Sequence, residues 1–78
     1  MKTLVKNWME NNNRANRQAV INHANILGSI ETKTENEIAF LSFAQVVKDA
    51  QTLEWNGALA DVLYNCAFAL ATNLVAKL

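Results

Sequence analysis

Glu10-Asn11-Asn12-Asn13-Arg14 decides how many helices this chain forms. Three consecutive asparagines either make a turn between two short helices or lie inside one long helix, because the short amide competes for nearby backbone groups. Stepping at about 100° per residue, Leu4, Val5, Trp8, Met9, Ala15, Ala19, Val20, Ile26, Leu27 and Ile30 stay in one sector across the asparagines. A turn would ordinarily scramble that phase. The phase therefore predicts one helix from about Thr3 to Leu27, with Lys6, Glu10, Arg14 and Arg17 outward.

Working outward, almost nothing breaks a helix: there is no proline, there are two glycines, and no stretch alternates as a strand does. The punctuation falls at Gly28-Ser29 with Thr32-Lys33-Thr34, and at Glu54-Trp55-Asn56-Gly57. Thr34 stands three residues before Glu37, the capping-box spacing, and Asn56 is suited to cap a helix beginning at Gly57. A second helix is predicted over about Glu35 to Leu53, with Ala39, Phe43, Val46, Val47, Ala50 and Leu53 on its apolar face. A third is predicted over Gly57 to Lys77, apolar around most of its circumference, with Leu59, Leu63, Cys66, Ala67, Leu70 and Leu74 at the centre. Its narrow polar stripe is Asp61, Asn65 and Thr72, and Phe68 lies within it. The expected fold is all-α: a single domain over residues 1–78, built as an up-down-up three-helix bundle with helices at about 3–27, 35–53 and 57–77. Its first helix overhangs, leaving Leu4, Val5 and Trp8 without cover from this chain.

The chain has 78 residues, 51% of them apolar, with seven acids against seven bases. A domain this small hides only about 60–65% of the surface its unfolded chain exposes, so apolar surface is in surplus. Zero net charge removes a strong field for steering nucleic acid or anionic membranes, and favours association with protein. Cys66 has no second cysteine to pair with, and no Cys/His spacing suits zinc, so neither a metal nor another cofactor is expected, and the expected compartment is the cytoplasm. The N-terminal stretch turns polar too early for a secretory core. Gly57 to Ala76 is long enough to span a bilayer, but Asp61, Asn65, Thr72 and Asn73 interrupt it, so it reads as a buried soluble helix, without a membrane partner.

Asn12, Asn16 and His23 fall within the apolar sector of the first predicted helix. They read either as a buried polar layer that fixes register, with His23 pH-responsive, or as locally bonded side chains. Cys66 sits among leucines and reads as a core residue rather than a nucleophile. Glu31, Glu35 and Glu37 belong to helix-start chemistry, and two isolated glycines make no phosphate loop. No enzymatic constellation is present.

Through Thr34 the chain carries five bases and two acids; from Glu35 onward it carries two bases and five acids. Lys6, Arg14 and Arg17 therefore form a candidate nucleic-acid face. Ala24-x-x-x-Gly28-x-Ile30 has the outline of a helix-turn-helix turn, but Ser29, Thr34 and Glu37 occupy positions that should be apolar. Trp8, Leu41 and Phe68 are the stronger candidates, as bulky groups expected on overhanging or polar faces, where protein interfaces place their anchors. The leading expectation is a non-enzymatic regulator or inhibitor that occludes a protein partner, alone or as a homodimer. Eleven asparagines suit a phage or other mobile element as the source. The second expectation is a nucleic-acid-associated helical dimer using Lys6, Arg14 and Arg17.

Overall fold

A computed structural model describes all 78 residues and is helical throughout, with no strands. Four helices form: α1 (Lys2–Glu10), α2 (Arg14–Gly28), α3 (Glu35–Thr52) and α4 (Gly57–Lys77). The single long first helix expected from phase is therefore two helices, broken at the asparagines.

Side-chain to backbone bonding makes the break. The backbone turns extended at Asn11 and Asn13. Asn13 then caps α2, its Oδ1 accepting from the Asn16 N–H at 2.9 Å. The Asn16 amide in turn donates to the carbonyls of Asn7 (3.1 Å) and Asn11 (2.9 Å), partnering groups at the C-terminal end of α1. The Asn7 carbonyl also keeps its helical bond from the Asn11 N–H, whereas at the Asn11 carbonyl the Asn16 amide substitutes for the hydrogen bond that a continuous helix would have made.

The break allows α1 to fold back onto the bundle and keeps the longest dimension of the molecule at 36 Å. Each helix packs on its sequence neighbours, and α1 closes the ring by packing on α4. Arg17 at the start of α2 pairs with Glu54 just beyond α3, so α2 and α3 run antiparallel. Val5 and Trp8 enter the core with Val20, Leu27, Phe40, Phe43, Ala44, Val47, Ala67, Ala71 and Leu74. They do not overhang, and Leu4 is packed against the same cluster.

The phase-aligned set divides accordingly. Val20 and Leu27 are buried, while Ala15, Ile26 and Ile30 face solvent, Ile26 at 62% exposure. No polar residue is buried, so Asn12, Asn16 and His23 form no buried layer. Asn12 is exposed, Asn16 is locally bonded, and the His23 ring meets the Phe40 ring edge-on at 5.2 Å.

The second and third predicted helices form with the expected caps. Thr34 and Glu37 exchange hydrogen bonds at 2.9 and 3.1 Å, and Asn56 accepts from the Leu59 N–H at 3.3 Å. The Thr34 backbone N–H holds the Glu37 carboxyl below its ordinary pKa, and the Thr34 hydroxyl adds to this. Thr34→Ala should cost about 1 kcal/mol of stability, read by urea unfolding, while the Glu37 titration moves up only in part, because the backbone N–H at position 34 remains. The sign is that of a lowered carboxyl pKa: Glu37 stabilises the fold above its unfolded pKa, and that share is lost as the pH falls through the folded one.

Helix α4 turns inward a face that shares Ala67 and Leu74 with the one expected and otherwise differs. Ala60, Ala67, Ala71 and Leu74 are buried, whereas Leu59, Cys66 and Leu70 are exposed and Leu63 is half-buried. Small residues on α4 face a core filled by Trp8, Phe40 and Phe43, and helices lined with alanine can approach closely.

Candidate interaction surface

Trp8 organises the inside of the site. Its ring meets Phe43 edge-on at 5.2 Å and lies 6.5 Å from Tyr64 and 6.3 Å from Phe68. At 1% exposure it is a core residue and offers nothing to a partner, contrary to its expected role as an anchor. Phe68 is 47% exposed, with one side of its ring against Trp8. Leu41 is half-buried in the groove between α2 and α3, with Ile21, Ala24, Ala44 and Lys48 around it. That groove holds about 150 Å³, well below the roughly 300 Å³ at which small-molecule pockets begin. Trp8 and Phe68 are thus brought together, while Leu41 belongs to a separate groove.

The expected basic face is also divided. Lys6 and Arg14 are exposed, but Arg17 is occupied within the fold. Its Nε donates to Asn12 Oδ1 at 2.7 Å and its Nη2 to the Asn12 carbonyl at 3.1 Å. The guanidinium carbon lies 4.7 Å from the centre of the Tyr64 ring, and Nη1 reaches Glu54 at 3.5 Å. One side chain therefore fastens the α1–α2 turn to the end of α3 and to α4. Burial raises the Tyr64 phenol above its usual 10.0, with Arg17 acting in the opposite direction.

An uncommitted apolar surface lies on α4, where sequence reasoning expected burial. Only 22% of its most apolar 18-residue stretch is buried, although the helix is long and apolar enough to cross a bilayer. Leu59, Val62, Cys66 and Ala69 are exposed at spacings of three, four and three residues, and Asn73 and Ala76 continue the stripe. Leu70 flanks it, and Trp55, 78% exposed, stands just before the helix. Val62 is 56% exposed and lies opposite the buried alanines. Asp61, Asn65 and Thr72 separate this stripe from Phe68. The sequence signal was present in the apolar circumference of the helix, but periodicity cannot choose among several apolar faces.

Comparison with family models, with curated proteins and with solved structures finds no match to this chain. No group of three or more His, Cys, Asp or Glu side chains is placed to hold a metal.

Proposed function

We propose that this chain is a small, non-enzymatic protein-binding regulator whose docking surface is the outer face of α4. One observation carries the reading: an apolar helix of 21 residues leaves most of its apolar stretch outside the core. An apolar contact surface with a rim of polar groups around it is typical of protein interfaces. Leu59, Val62 and Leu70 supply the apolar contact, Asp61, Asn65 and Thr72 the rim, and Phe68 borders the surface beyond them. Exposed, unpaired Cys66 suits a reducing compartment such as the cytoplasm.

Affinity capture with the wild-type chain and with Val62→Glu tests the reading. The expected result is a protein retained by the wild type and lost by the variant, whose circular dichroism stays helical because Val62 packs nothing inside. Identical captures overturn the proposal. So does flotation of the wild-type chain with phosphatidylcholine vesicles, which would make the apolar face a lipid contact.

A further inference from the structure

We infer that the occupant of the outer face of α4 is a second copy of this chain, packed antiparallel across a two-fold axis. The inference rests on the protein-binding reading above and names the partner.

Spacing is the first argument. Leu59, Val62, Cys66, Ala69, Asn73 and Ala76 succeed one another at 3, 4, 3, 4 and 3 residues, the a/d pattern of helices that pack along a seam. The pattern runs the length of α4, while the chain's own core uses the alanine face. One helix thus carries two seams, and only one is filled.

Side-chain volume sets the direction. The N-terminal half of the stripe is bulky and the C-terminal half is small. An antiparallel two-fold sets Leu59 against the partner's Ala76, Val62 against the partner's Asn73 and Cys66 against the partner's Ala69. Every layer then combines a larger and a smaller group. A parallel pairing would put leucine on leucine at one end and alanine on alanine at the other, leaving voids that close-packed interfaces avoid. Flanking positions agree: Leu63 meets the partner's Leu70, and Asn65 meets the partner's Thr72.

Charge points the same way. The six stripe residues carry no formal charge, so none is desolvated on the seam. Lys77 in the last turn comes beside the partner's α3–α4 connection, which bears Glu54, whereas a parallel pair would bring lysine against lysine.

The full chain should scatter light as a species of twice 8.7 kDa, dissociating on dilution. Val62→Glu places an unpaired carboxylate on the seam and should raise the dissociation constant by about 100-fold or more, with helicity unchanged. In a Cys66→Ser background, the Leu59→Cys/Ala76→Cys double variant should form intermolecular disulfides under mild oxidation, while neither single variant does. Crosslinking of each single variant would show parallel pairing and overturn the arrangement. A wild type that stays monomeric at every concentration overturns the dimer. If its capture of another protein is still lost in Val62→Glu, the protein-binding reading survives; if capture is unaffected, both fall.

Discussion

Trp8→Ala should remove about 3–5 kcal/mol of stability, the range for truncating a large aromatic in a packed core. At about 0.05–0.15 kcal/mol per residue, a chain of 78 residues has roughly 4–12 kcal/mol in total. The substitution therefore removes from about a quarter to all of that total. The reason is position: Trp8 is the contact through which short α1 reaches Phe43 on α3 and both Tyr64 and Phe68 on α4. Without it α1 keeps Val5 as its only fully buried side chain, and nine helical residues do not hold together unaided. Urea unfolding followed by circular dichroism reads the loss, and the melting temperature should fall by about 4–8 °C per kcal/mol. Trp8→Phe should cost less, because it keeps an aromatic ring and removes an indole N–H that has no partner in the core. Trp55→Phe, at an exposed position, should stay within about 0.5 kcal/mol of the wild type. Equal losses at Trp8 and Trp55 would contradict the folded-back position of α1.

This dependence also shows where the sequence was legible. The caps at Thr34 and Asn56 were readable because each is local chemistry spanning three residues. The break at Asn11 to Asn13 was harder. Both α1 and α2 turn apolar residues to one core, so the helical phase carried across the break between them. The contrary signal lay in the asparagines: each disfavours a helix interior by about 0.5–0.7 kcal/mol relative to alanine, and Asn13 and Asn16 complete the turn with their own side chains. On α4 the limit was different. A helix apolar almost all round offers several candidate faces, and shape matching to Trp8, Phe40 and Phe43 selected the alanines. Leu59, Val62 and Leu70 were consequently left outside, which moved the candidate surface from Trp8 and Leu41 to the far side of α4.

Arg17→Ala should cost about 2–4 kcal/mol, more than an ordinary surface arginine, because it removes three kinds of contact together. Its two hydrogen bonds to Asn12 hold the α1–α2 turn, and bonds involving a charged donor contribute about 1.5–3 kcal/mol. Its stacking on Tyr64 adds about 0.5–1 kcal/mol or more as the pair is desolvated. The 3.5 Å pairing with Glu54 adds least, since that carboxylate is largely exposed. Arg17→Lys keeps the charge but loses the planar fork and the stacking, so it should recover less than half of the loss. Glu54→Gln should cost under about 1 kcal/mol, which separates the ion pair from the rest. Tyr64→Phe supplies the converse test: the ring remains for Arg17 and Trp8, and a buried hydroxyl without a partner is removed. That variant should be neutral or slightly stabilising near neutral pH. It should also resist alkali better than the wild type. A phenol whose folded pKa lies above its unfolded value ionises more readily in the unfolded chain, so the wild type loses stability as the pH rises past about 10 toward the folded pKa, a loss the phenylalanine variant lacks. Urea midpoints measured on either side of pH 10 read both effects. If Arg17→Ala unfolds with the wild-type midpoint, the side chain is not what fastens α1 and α2 to α4.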